Sequence, residues 1–306
     1  MSGKTTLEIL KMKGTRKITM VTCYDATFAR LVAASGVDMV LVGDSMGMVI
    51  QGQETTLPVT VDEIIYHGLA VWRGFNAEAA TYGGGTAASA DSGAGKAAAA
   101  RPALPHLTLD MPFMSFQSSP RKALENAGRL MKEGHAESVK LEGATRDTLR
   151  GIEKMTASGI PVVGHIGLTP QSVHAMGGFK VQGRDEARAK ELLHEAKTLE
   201  SAGCFAIVLE GMPTPLAAEI SLLLGIPTIG IGAGPGCDGQ VLVLYDLLGL
   251  NPGFSPKFLK RYADLHVDVK RALETYAREV RDGEFPDEAH SFAAAAPAPK
   301  AQERRR

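Results

Sequence analysis

Residues 139–142 read Val-Lys-Leu-Glu and residues 207–210 read Ile-Val-Leu-Glu: in each, a short apolar run ends on a carboxylate. Three further segments obey the same rule, namely Met39-Val-Leu-Val-Gly-Asp44, Leu107-Thr-Leu-Asp110 and Val162-Val-Gly-His165. Apolar runs of this length are the pattern of strands buried on both faces. When parallel strands close into a barrel, their C-terminal ends converge on one face, and that face carries the chemistry. The five segments therefore place Asp44, Asp110, Glu142, His165 and Glu210 around one mouth. Four acids gathered there repel each other and are costly to desolvate unless a cation balances them.

Working outward, strand patterns fall at 18–24, 39–44, 107–110, 138–142, 162–165, 206–210, 228–232 and 240–245. Helical patterns fall at 26–35, 62–73, 120–132, 146–158, 185–201, 215–224 and 257–281. Eight strands alternating with helices in one chain favour an α/β fold of the (β/α)8 TIM-barrel kind over an open doubly wound sheet. Thr60 and Glu63 have capping-box spacing, and Ser119-Pro120 supplies a cap residue followed by an N1 proline. Gly36, Gly134, Gly159, Gly203 and Gly225 stand where C-cap glycines would. The expected organisation is a single catalytic barrel over residues 1–292. Two stretches are set apart from it. An Ala/Gly-rich segment at about 75–101 reads as a mobile insert leading to the N-terminal face, and 293–306 reads as a disordered tail.

The 306 residues suffice for one large α/β domain, and the 44% hydrophobic and 22% charged content is ordinary for a globular protein. A formal net charge of −1 gives no reason to expect nucleic acid or an anionic membrane as a partner. Cys23, Cys204 and Cys237 form neither a CxxC pair nor an even framework, so neither disulfides nor zinc is indicated. Without a signal-peptide core or a run of transmembrane length, the expected setting is the cytoplasm.

Asp44, Asp110 and Glu142 are hard oxygen donors on three consecutive strand ends, a set that suits Mg2+ better than zinc. A single such acid would more often cap a helix or pair with a lysine. Three in the same register favour a metal. Lys140 lies two residues before Glu142 and shares its side of the strand, as an ion-pair partner or as a ligand for a substrate carboxylate. His165 is either a satisfied core histidine or a functional group, and its strand-end position raises the second reading. Glu210 follows apolar residues, surroundings that favour a general base over a cap or an ion pair. The glycine-rich 230–239 loop is a phosphate loop or a tight turn, and 177–183 is a lid or a flexible connection. His174 lies in a loop and takes no role.

These segments resemble the ketopantoate hydroxymethyltransferases. The resemblance is carried by Thr22-Cys-Tyr-Asp25, Leu41-Val-Gly-Asp-Ser-Met-Gly-Met48, Thr56-Leu-Pro-Val-Thr60, Asp110-Met-Pro-Phe113, Val139-Lys-Leu-Glu-Gly143, Gly164-His-Ile-Gly-Leu-Thr-Pro-Gln-Ser172, Gly177-Gly-Phe-Lys-Val-Gln-Gly183, Val208-Leu-Glu210, Ile229-Gly-Ile-Gly-Ala-Gly234 and Pro286-Asp-Glu-Ala-His-Ser291. It spans roughly residues 5–292, interrupted by the insert, which departs from the family pattern. It implies a barrel of the phosphoenolpyruvate/pyruvate type, Mg2+, and a homo-oligomer, often a decamer. By motif position it implies Asp44, Asp110 and Glu142 as metal ligands and Glu210 as base. Ser45, Lys140 and His165 become keto-acid contacts, with Asp44 and Asp110 also facing the substrate. The implied reaction moves a one-carbon unit from 5,10-methylenetetrahydrofolate to 3-methyl-2-oxobutanoate, giving 2-dehydropantoate for pantothenate and so coenzyme A synthesis. A carbon–carbon lyase or mutase of the isocitrate lyase type is the rival, but its Lys-Lys-Cys-Gly-His loop is not in the sequence. A non-catalytic barrel that binds metal or keto acid is the other rival. The presence of every ligand and of Glu210 argues against it.

Overall fold

A computed structural model describes residues 3–77 and 103–292. Its strands are β1 (Ile18–Thr22), β2 (Met39–Val42), β3 (His106–Asp110), β4 (Ser138–Glu142), β5 (Val162–Gly167), β6 (Ala206–Glu210), β7 (Thr228–Ile231) and β8 (Gly239–Leu242). They close into a barrel in sequence order, with β1 pairing β8, and every pairing is parallel. The helices are α1 (Thr6–Met12), α2 (Ala26–Ser35), α3 (Met46–Val49), α4 (Val61–Asn76), α5 (Pro120–Glu133), α6 (Arg146–Ala157), α7 (Glu186–Ser201), α8 (Thr214–Leu223), α9 (Leu244–Leu247) and α10 (Leu265–Asp282). The expected (β/α)8 architecture is thus present.

Alternation along the strands builds two apolar layers. Val40, Val42, Leu107, Leu109, Val139, Leu141, Ile207 and Leu209 belong to the outer one, packed under the helices. Met39, Leu41, Val163, Ala206 and Val208 belong to an inner plug, which Ile9 and Met12 of α1 complete from the N-terminal side. On β3 and β4 the inward positions are polar instead: buried His106 and Thr108 both reach the Ser138 hydroxyl, at 2.9 Å each. The next inward pair in register is Asp110 and Lys140.

Several local expectations need correction. β2 stops at Val42, because Gly43 and Asp44 turn directly into α3. β8 stops at Leu242: the Leu244 N–H is held by the Thr22 hydroxyl and the chain enters α9. α10 begins at Leu265, not near 257. α4 runs on through Asn76, with Gly74 and Phe75 buried, so the first residues assigned to the insert are helix. The rest of the insert and the C-terminal tail lie outside the described residues. The capping box at Thr60 and the Ser119-Pro120 start are as expected. Gly36, Gly159 and Gly203 adopt positive φ, but Gly134 and Gly225 do not. At Gly134 the constraint is space, since a Cβ would stand 2.5 Å from Leu109, and His135 takes the positive φ instead.

No helix separates β7 from β8. The glycine-rich 232–238 segment runs back along the barrel wall, and at Gly234 (φ +82°) a Cβ would lie 2.4 Å from the Thr214 hydroxyl of α8. The glycine there serves packing. α10 has no buried residue, and Val267, Val269, Leu273, Tyr276 and Val280 are all exposed. The three cysteines are buried and free. No helix among the described residues is long and apolar enough to cross a membrane.

Acids pin the N-terminal face. Asp38, just before β2, accepts from the Thr19 N–H and hydroxyl on β1, both at 3.0 Å. Asp238, before β8, does the same to Thr228 of β7, and Glu137, before β4, accepts from the Leu107 N–H of β3. Asp38 is 1% exposed and also receives both Arg16 Nη atoms, at 2.9 and 2.6 Å. Burial pushes its carboxyl up, but the Arg16 and Thr19 hydrogen bonds outweigh this and hold it below its ordinary value. A depressed folded pKa stabilises the fold above the unfolded value, near pH 4, and that stability is lost as pH falls through the folded value. Asp38→Asn should therefore destabilise by roughly 2–3 kcal/mol at pH 7. In urea unfolding, the gap to wild type should narrow below about pH 4.

Candidate active site

The strand ends bring every expected site residue to one mouth. Asp110, Glu142 and Glu210 are the last residues of β3, β4 and β6, and His165 lies within β5. Asp44 stands two residues past β2, with Ser45 at the start of α3. Asp44, Asp110, Lys140, Glu142 and His165 are all buried.

Lys140 does not pair with the neighbouring Glu142. Its Nζ donates to both oxygens of Asp110 at 2.8 Å, across the register of β3 and β4. The Asp44 N–H also donates to Asp110 Oδ2, at 3.3 Å. His165 sits between two carboxylates, with Nδ1 3.4 Å from Glu142 and Nε2 3.2 Å from Glu210. These are ion-pair contacts rather than aligned hydrogen bonds. The Glu210 side chain keeps 19% exposure, whereas that of Glu142 keeps 4%. Glu210 thus faces His165 on one side and the open mouth on the other, not the purely apolar surroundings expected for it.

Burial dominates the electrostatics. It raises the Asp44 carboxyl well above its ordinary value, and repulsion from Asp110 and Glu142 raises it further. Burial likewise lifts Asp110, opposed by Lys140. Burial disfavours the lysine cation, but Asp110, Glu142 and Asp44 outweigh it and raise the Lys140 pKa. Burial would also neutralise His165, yet Glu142 and Glu210 reverse this and raise its pKa to about 9. The Glu142 carboxyl, raised by burial, is brought below its ordinary value by His165.

With all groups ionised, four carboxylates face two cations. The surplus negative charge and the hard oxygens suit a divalent cation such as Mg2+. Among the described residues, no three His, Cys, Asp or Glu side chains converge into a ready cage. Mg2+ commonly takes only one or two carboxylates and completes its shell with water and substrate oxygens. The donor set fits on that basis: one or two of Asp44, Asp110 and Glu142 would hold the cation, with water and substrate oxygens completing its shell.

Two contributors escaped the sequence reading. Tyr24, just past β1 and fully buried, shares a 2.8 Å hydrogen bond with the Ser45 hydroxyl. The strand-end rule, extended to β1, would have found it. Gln171, in a 3₁₀ turn after β5, bonds to Asp44 and Glu142. As a neutral loop residue it carries no signal of its own. His174 is exposed, and the 177–183 loop is tied down through the Gln182 N–H to the Gly211 carbonyl.

A closed parallel barrel with ionisable groups at its strand ends defines the class as a TIM-barrel enzyme. Solved structures share the architecture. Phosphoenolpyruvate phosphomutase from Streptomyces platensis subsp. rosaceus superposes with a TM-score of 0.55 at 11% identity, covering 92% of this chain and 88% of that one. 2,3-Dimethylmalate lyase, a PEP mutase/isocitrate lyase superfamily member, superposes with a TM-score of 0.51 at 13% identity, covering 91% and 88%. At such identities the likeness concerns the fold. Sequence goes further: the family model of ketopantoate hydroxymethyltransferase matches residues 4–82 and 93–288. The 3-methyl-2-oxobutanoate hydroxymethyltransferase of Geobacter metallireducens is 51% identical over 293 residues, covering 94% of this chain and 98% of that protein. That of Anaeromyxobacter dehalogenans is 50% identical over 286 residues, covering 93% and 86%. The chain belongs to the ketopantoate hydroxymethyltransferase family and is a hydroxymethyltransferase enzyme. This membership decides against the lyase and the non-catalytic barrel.

The buried pair at the centre of the site is testable alone. Lys140→Met keeps much of the volume and strands the Asp110 carboxylate without its cation. Breaking a buried pair in this way should destabilise the metal-free protein by roughly 3–5 kcal/mol, measured by denaturant unfolding in chelator.

Proposed function

We propose that the protein transfers a hydroxymethyl group from 5,10-methylenetetrahydrofolate to 3-methyl-2-oxobutanoate, with Mg2+ as cofactor, giving 2-dehydropantoate on the route to pantothenate. One observation carries the assignment of roles. Of the four carboxylates, Glu210 is the one left partly open at the mouth, and it stands across His165 from Glu142. The site thus has a buried ligand side and an accessible proton-accepting side.

One or two of Asp44, Asp110 and Glu142 would hold the cation. A divalent cation held there would supply Lewis-acid chemistry, making the C–H beside the keto acid's carbonyl more acidic. Glu210 removes that proton. Lys140, held cationic by Asp110, supports the negative charge of the keto acid, and the Ser45 hydroxyl, fixed by Tyr24, is a further contact. His165, set between Glu142 and Glu210, is a further contact for the keto acid. The enolate carbon then attacks the one-carbon unit of the folate as one of its two C–N bonds breaks; a water oxygen replaces the second folate nitrogen on that carbon, so the product carries CH2OH and tetrahydrofolate leaves with the proton balance restored. The proposed assembly is a homo-oligomer, a decamer by family resemblance. The exposed apolar residues of α10 supply a face for such contacts. The proposed setting is the cytoplasm, in keeping with three free cysteines.

Folate-free deuterium exchange into 3-methyl-2-oxobutanoate isolates the first step. Glu210→Gln keeps size and hydrogen bonding but accepts no proton, so exchange and transfer should fall together by roughly 10²–10⁴-fold. Wild-type exchange in that variant would assign the base elsewhere. Asp44→Ala should retain the fold and lose the Mg2+ dependence of exchange. Full Mg2+-dependent exchange at limiting Mg2+ would remove Asp44 from the ligand set.

A further inference from the structure

Gln171 holds more of the site than any other uncharged side chain there. It is 5% exposed. Its backbone N–H donates to Glu142 Oε2 at 3.0 Å. Its amide Nε2 spends one hydrogen on Asp44 Oδ2 at 2.9 Å and the other on the Met111 carbonyl at 3.0 Å. Its Oε1 accepts from Gln117 Nε2 at 2.9 Å. One residue of the β5 loop therefore ties down the acid after β2, the acid ending β4, and the backbone just past Asp110. None of these bonds is replaceable by water without opening the site, since Asp44, Glu142 and Gln171 are all buried.

The polarity of this chain of amides is set from outside. Gln117 Oε1 faces the Phe116 N–H at 3.4 Å, which leaves its Nε2 to donate toward Gln171. The Gln171 oxygen must then face Gln117, and its NH2 must face Asp44. The reversed amide would set an oxygen against the Asp44 carboxylate and the Met111 carbonyl, with two NH2 groups opposed at the other end.

We propose that Gln171, oriented by Gln117, is a positioning residue that presets the Asp44 and Glu142 carboxylates for the divalent cation. This inference rests on the reading of those acids as metal ligands. Partners that orient ligating carboxylates typically contribute 10–100-fold in metal affinity.

The test is calorimetric titration of Mg2+ into the full-length protein with saturating 3-methyl-2-oxobutanoate and no folate, beside thermal unfolding in chelator. Gln171→Leu removes the amide and keeps the bulk. It should weaken Mg2+ binding by about 10-fold or more. The Mg2+ concentration needed for half-maximal exchange should rise in step, while the rate at saturating Mg2+ recovers most of its wild-type value. Gln117→Leu, one residue removed from the acids, should shift affinity the same way by about 3-fold, because only the orientation of the amide is loosened. Lowered thermal stability with wild-type Mg2+ affinity in Gln171→Leu would mean a merely structural role and overturn the proposal. If that variant does not fold, Gln117→Leu decides, and wild-type affinity there overturns it. Asp44→Ala separates the two levels: Mg2+ affinity unchanged by Asp44→Ala sinks the ligand reading itself, whereas loss there with no effect of Gln171→Leu sinks this inference alone.

Discussion

The ion pair between Lys140 and Asp110 is the interaction on which the site depends. It sits on adjacent strands in exact lateral register, with both groups buried. Without the ammonium, Asp44, Asp110 and Glu142 would be three buried carboxylates within mutual repulsion and no nearby cation but His165. With it, one acid is neutralised and the others remain electron-rich. Buried pairs of this sort are weak sources of net stability and strong sources of local definition. Here the definition is of charge: the pair neutralises Asp110 and leaves the mouth's uncompensated negative charge on its other acids.

The two ends of the barrel treat acids in opposite ways. At the N-terminal face, Asp38, Glu137 and Asp238 are saturated by backbone N–H groups, hydroxyls and cations, and each locks the strand before its own. At the C-terminal face the acids are left under-compensated, and Asp44 and Asp110 are raised above their ordinary range. The same residue types thus fasten one end and remain reactive at the other. Proton or cation uptake is therefore expected at the mouth, with little change at the base.

The fold was legible because buried parallel strands write a period that few other structures share. The runs at 138–142 and 206–210 match β4 and β6 residue for residue. One error falls where a hydrogen bond between distant segments ends an element. β8 gives way to α9 at a bond from Leu244 to Thr22, which no local pattern encodes. The acids were legible because each closes a strand. The partner of Lys140 was not, because which acid it meets depends on the register between strands. Gln171 was invisible for the same reason: a side-chain amide announces nothing until its three partners are in place. Gly134 does cap α5, as its position predicts, but with right-handed backbone, and what requires a glycine there is the Leu109 side chain beneath it.

The close seam between β5 and β6 divides the mouth mechanically. Gly167 has φ +98°, a Cβ there would fall 2.2 Å from the Glu210 carbonyl oxygen, and the Leu168 N–H donates to that same oxygen at 2.8 Å. His165 and Glu210 are consequently carried by backbone that cannot shear apart without breaking that hydrogen bond. Asp44 stands on a turn, fastened through side-chain amides. The stiffness of the mouth is uneven: Asp110, Glu142 and Glu210 each end a strand, whereas Asp44 has only a turn and the Gln171 amide to hold it. Of the four acids, Asp44 is therefore the one whose displacement would leave every strand seam, and the spacing between the His165 imidazole and the Glu210 carboxylate, untouched.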